Sequence, residues 1–147
     1  MRYDKPLTAI MIGAVSTLTG EIITRALVSL GIGKYSVFQL FSLIVTLNRP
    51  SEVIGLIVDF LVGGLMGVSF YYAIEKIGQD YMVAKATIVS IAFWVLAELI
   101  FSISIEGHTI DVRPMADYYV HLSGAIGYGI ILGLLFKRYL FSSAKSF

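Results

Sequence analysis

The sequence predicts an all-α polytopic membrane protein, an antiparallel bundle of four transmembrane helices with one further short apolar segment. Three observations predict it. Four windows, 7–32, 53–74, 82–105 and 118–136, stay apolar over a length that crosses a hydrocarbon core of about 30 Å at about 1.5 Å per residue. Hydrophobic residues make up 57% of the 147-residue chain and charged residues only 14%, with a mean hydropathy of +0.84. A soluble domain carries about 25% charge, so much of this chain's exterior faces something other than water. Finally, Glu21, Arg25, Asp59, Glu98 and His121 lie inside the apolar windows. An ionisable group in hydrocarbon is costly unless paired or wetted, which makes each a functional candidate.

The first window follows Arg2 and Lys5, as a signal peptide would. Glu21 and Arg25 interrupt it, however, and no small-residue cleavage pattern follows. It reads as a retained span. After Lys34 comes the stretch 37–47, VFQLFSLIVTL, closed by the breaker Asn48-Arg49-Pro50. It is too short to span and too apolar for a solvated loop, so a re-entrant or interfacial segment is expected. The tight connection over 75–81 makes the second and third spans an antiparallel hairpin. The polar stretch 106–117, EGHTIDVRPMAD, reads as a water-exposed loop.

Orientation follows the bias of Lys and Arg towards the cytoplasm. With both termini inside, the inner flanks hold Arg2, Lys5, Lys76, Lys85, Lys137, Arg138 and Lys145, against Lys34, Arg49 and Arg113 outside. The expected location is therefore a plasma (inner) membrane with cytoplasmic termini and lipid as the immediate surroundings. Aligning Asp59 with His121 sets Gly67 on Gly129 and Glu75-Lys76 on Lys137-Arg138. That suggests a two-fold helix-pair repeat about the membrane normal.

Residues four apart share a helical face. Gly55, Asp59, Gly63 and Gly67 form one such stripe, and Gly13, Thr17, Glu21 and Arg25 another. Trp94 and Glu98 lie between Ser90 and Ser102, and His121 precedes Ala125, Gly129 and Gly133. Small residues mark faces where helices approach closely in lipid, so Gly55, Gly63, Gly67, Gly129 and Gly133 are packing positions. The charges on those stripes then point into the bundle. Counted in turns from the helix ends, all five fall in the outer half of the bilayer. Gly129 and Gly133 also offer a contact face for a homo-oligomer.

Carboxylates and imidazole are the groups of intramembrane proton chains. Asp59, Glu98, His121 and Glu21 are thus candidate proton or cation ligands. Arg25 is read as a charge-balancing partner, of Glu21 in the helix or of Asp59 or Glu98 across it. Asp117 and His121, four apart, are the weak candidates for a transition metal; otherwise no cofactor is expected. Cysteine is absent, which excludes disulfides and thiolate chemistry. Ser102 and Ser123 lack any nucleophile motif, so no enzyme is expected. Near-zero net charge without a basic block argues against nucleic acid. The leading expectation is a small transporter or channel-like protein handling protons or a cation. The alternative is a non-catalytic subunit of a larger membrane complex whose charges lock helices together.

Overall fold

A computed structural model describes residues 4–142; Arg2 and Lys145, used above for orientation, lie outside the described residues. Five helices follow one another: α1 Lys5–Ser29, α2 Val37–Thr46, α3 Glu52–Ile77, α4 Met82–Ser104 and α5 Met115–Tyr139. All but α2 are long and apolar enough to cross a membrane. Hydropathy windows miss the polar turns at helix ends, which is why α3 runs on to Ile77 and α5 begins at Met115.

Local chemistry sets the boundaries. Asp4 accepts the Leu7 N–H at 3.0 Å, and Pro6 sits in the first turn, where its missing N–H is no loss. Ser36 and Gln39 form a reciprocal capping box at the start of α2. Gly78, at φ +85°, ends α3 in a conformation that suits glycine. The Lys85 ammonium then donates to the Ile77 and Gly78 carbonyls at 3.1 and 2.9 Å, stitching α4 to the end of α3.

Packing does not follow sequence order. α1 and α5 meet each other, α3 packs against α1, and α4 packs against α5. Helices α3 and α4 scarcely touch, so the hairpin expected around 75–81 opens immediately beyond its turn. The small-residue faces explain this. A Cβ on Gly13 would stand 2.8 Å from the Gly67 Cα, and one on Gly67 would overlap the Ala9 carbonyl, so α1 and α3 meet backbone to backbone. Gly20 and Gly124 oppose each other between α1 and α5. Gly129 and Gly133 seat the Thr87 and Val83 backbones of α4, each Cα lying 2.6 Å from where a Cβ would be. That glycine pair is consumed inside the chain and is not a free face for a second copy. The α3 face towards α4 has no such seam.

Gly55 receives the Phe38 carbonyl, which brings α2 flat against the start of α3. Two apolar clusters close the ends of the bundle. One gathers Phe70, Ile74, Leu132 and Phe136, with the Phe70 and Phe136 rings 5.2 Å apart. The other joins Tyr35, Leu40 and Leu43 to Phe101 and Ile105.

Overpacking a closed seam typically costs about 1–3 kcal/mol. Gly67→Leu is therefore expected to lower stability by about that amount in detergent unfolding assays. Ile57→Ala, on the exposed face of α3, should change it by less than about 0.5 kcal/mol. Equal effects from the two substitutions would contradict the seam.

Candidate functional site

The connection after α4 does not stay in water. Arg113 folds back so that its side chain is fully buried, and one guanidinium nitrogen reaches Glu98 Oε2 at 2.6 Å and Glu106 Oε2 at 3.4 Å. The guanidinium carbon lies 4.7 Å from the Phe101 ring centroid and 4.8 Å from that of Tyr118. This sandwich covers a planar cation with aromatic faces. Glu106 is itself fully engaged. It accepts the Arg113 backbone N–H at 2.6 Å, the Tyr118 hydroxyl at 2.9 Å and the Ser102 hydroxyl at 3.0 Å. The expected water-exposed loop is thus half correct: Gly107, His108 and Val112 are exposed, whereas Glu106 and Arg113 belong to the interior.

His121 completes this cluster. Its Nε2 lies 2.9 Å from the Tyr35 carbonyl, so Nε2–H donates there. Its Nδ1 sits 3.5 Å from an Arg113 nitrogen and 3.4 Å from Glu98 Oε1. That one atom can accept from the arginine or, when protonated, donate to the glutamate, but not both. One turn earlier on α5, Asp117 accepts the Lys34 backbone N–H. Asp117 and His121 therefore both grip residues 34–35, the link between α1 and α2. This is the use of their i, i+4 spacing, and among the described residues no group of three His, Asp or Glu is placed to hold a metal ion.

Glu21 and Arg25 form the helical pair read from the sequence, at 2.5 Å. Arg25 then extends to Glu52 in the first turn of α3, at 2.8 Å, rather than to Asp59 or Glu98. The second Glu21 oxygen accepts the Phe38 N–H at 2.9 Å, and the Thr24 hydroxyl accepts the Val37 N–H at 3.1 Å. With Ser36 holding Gln39, the opening amides of α2 are satisfied from α1, where a carboxylate also meets the positive helix end. Glu21 is a fastening for α2, already neutralised by Arg25.

Asp59 stands apart from both networks. It is buried, its Oδ2 has no hydrogen-bond partner, and it faces a cleft of about 580 Å³. Thr17 on α1, whose hydroxyl donates within that helix to the Ala14 carbonyl at 2.7 Å, lines the same cleft. The cleft exists because α3 and α4 stand apart. Those helices are its walls, α1 and α5 its floor, and α2 closes one end. Val62, Met66, Phe93 and Ala97 make it apolar, and Asp59, Glu98 and His121 all reach it. Three of the four candidate ligands thus share one cavity, and Glu21 does not line it. Among the described residues no Lys or Arg side chain lines it either.

Comparison with protein-family models, with curated proteins and with solved structures returned no match. The geometry alone carries the functional argument.

Sequence reasoning missed Arg113, Glu106, Tyr118 and Glu52. A signal was present: the short connection carries an acid at its start and an arginine next to Pro114, opposite charges able to return to the bundle together.

Glu106 and Arg113 lie outside the long helices. Burial pushes the Glu106 carboxyl up, but the Arg113 backbone N–H, the Tyr118 hydroxyl and the Arg113 charge outweigh it and hold the group below its ordinary 4.5. Burial likewise opposes the Arg113 charge, and Glu98 with Glu106 more than offsets it, so the guanidinium stays charged. A carboxylate held low in the folded state stabilises fully above its unfolded value. That stabilisation is lost as pH falls through the folded one. Glu106→Gln should therefore flatten the acid side of the stability–pH profile. Arg113→Ala, which strands two buried carboxylates, should cost about 3–5 kcal/mol at neutral pH. A loss below about 1 kcal/mol in detergent unfolding would rule out this role for Arg113.

Proposed function

We propose that this is a small integral membrane transporter or channel-like protein that handles a cation or protons in the cleft between α3 and α4. One observation carries the reading: Asp59 is a buried carboxylate that has one unpartnered oxygen and lines an open cavity. A structural carboxylate buried among helices is normally hydrogen-bonded to what it fastens, and an unsatisfied one calls for an explanation. Occupancy by a transported cation or proton supplies it.

In this reading the four long helices are antiparallel spans with both termini in the cytoplasm of a plasma (inner) membrane. The contact registers support the alternation, since Ala9, Gly13 and Thr17 climb α1 as Gly67 and Gly63 descend α3. The helix-pair repeat is kept with a break. α1 pairs with α3 as α4 pairs with α5, but the central contact of α1 with α5 has no counterpart between α4 and α3. The cleft occupies the missing contact. A homo-oligomer would then use faces other than Gly129 and Gly133.

The competing reading, a structural subunit whose charges only lock helices, is favoured at Glu21, Arg25 and Arg113, each of which is held in an ion pair. Asp59 is what it leaves unexplained.

Water access separates the two. The chain has no cysteine, so Val62→Cys and Ala97→Cys place single thiols in the cleft, with Ile57→Cys on the outer face of α3 as control. With an impermeant thiol reagent, both cleft positions are expected to label at least about tenfold faster than Ile57→Cys. Folded variants that resist labelling from either side would sink the transport reading.

A further inference from the structure

The form of the cleft narrows what it can take, on the reading that it is a transport site. A small inorganic cation such as Ca²⁺ surrounds itself with about six to eight oxygens, and even Mg²⁺ keeps an octahedral shell. Around Asp59 the walls are hydrocarbon and aromatic: Val62 and Met66 on α3, Phe93, Trp94 and Ala97 on α4. The polar groups are few and acceptor-rich, with one carboxylate on each wall, Asp59 on α3 and Glu98 on α4. Arg113 stands behind Glu98 and does not reach the cleft. A bare metal ion would find too few ligands here, and an anion or a lipid phosphate would meet two carboxylates without a facing cation.

Glu98 and Asp59 differ in what they have left to offer. Glu98 is held by Arg113 at 2.6 Å and has His121 at 3.4 Å. Asp59 keeps one oxygen with no partner. A ligand carrying a single positive charge on an apolar body would place that charge on Asp59 and spread its body along the walls. Deep, mostly apolar cavities with a few placed polar groups are the general form of small-molecule sites. Aromatic faces such as those of Phe93 and Trp94 also attract organic cations.

We propose that the cleft binds lipophilic organic cations, with Asp59 as the counter-charge and Phe93 and Trp94 as aromatic walls. Charge on Asp59 selects the sign of the ligand, and the walls select its apolar body.

Trp94 is the only tryptophan in the chain and lines the cleft, so its fluorescence reports occupancy without a label. The test titrates the purified full chain, in nanodiscs of zwitterionic lipid, with tetraphenylphosphonium and separately with tetraphenylborate. These ions share shape and apolar surface and differ in sign. Saturable quenching by the phosphonium is expected, with the borate at least about tenfold weaker, and Asp59→Asn should remove most of that preference. Asp59→Glu should retain it, which guards against misfolding of the Asn variant. Equal quenching by both ions, or none by either, overturns the proposal. If the phosphonium fails while Ala97→Cys still labels from water, only the substrate class falls. If Ala97→Cys is also closed to water, the transport reading falls with it.

Discussion

A guanidinium with no exposed surface has to be neutralised where it lies, and the arrangement around Arg113 follows from that requirement. Its two glutamates come from different places, Glu98 from the last turns of α4 and Glu106 from the connection beyond. Satisfying both folds that connection inward and carries Phe101 and Tyr118 onto the faces of the cation. His121, beside the same charges, then reaches the Tyr35 carbonyl and fixes the start of α2. A buried ion group of this kind contributes little net stability against an apolar replacement, but removing one member is expensive. Its effect here is positional: it sets where α2, α4 and α5 stand around the cleft.

The glycine seams do the complementary work of deciding which helices may touch. Where Gly13 meets Gly63 and Gly67, or Gly129 and Gly133 meet α4, the backbones approach so closely that nothing else fits between them. α3 and α4 are each committed to another partner. The space left between them is a consequence of those commitments, and its floor lies where the central helices α1 and α5 show through.

The helices were legible because hydropathy over a span is a local property. The small-residue faces were legible too, since spacing alone puts Gly55, Asp59, Gly63 and Gly67 on one side. What the spacing does not state is the partner. Gly129 and Gly133 serve α4 in the same chain, and the short turn between α3 and α4 says nothing about their divergence a few residues later. Charges were harder still. Glu21 and Arg25 form a pair by proximity in sequence, yet the oxygen that matters for α2 acts on Phe38, and Arg25 turns to Glu52. Arg113 was hidden by its polar neighbours, because a loop's average polarity conceals one residue that leaves it.

The central contact of α1 with α5 also bears on how the molecule comes to exist. Tyr35 and His121 are 86 residues apart, and Lys34 and Asp117 are 83. While the chain is being made, α1 and α2 are therefore present long before the helix that completes their packing. The Gly20 and Thr24 face of α1 must wait until α5 arrives. Contacts of such separation form late and leave intermediates open to wrong partners. Assembly is thus a closing of the first helix on the last, and the cavity between α3 and α4 takes its final shape only at that moment.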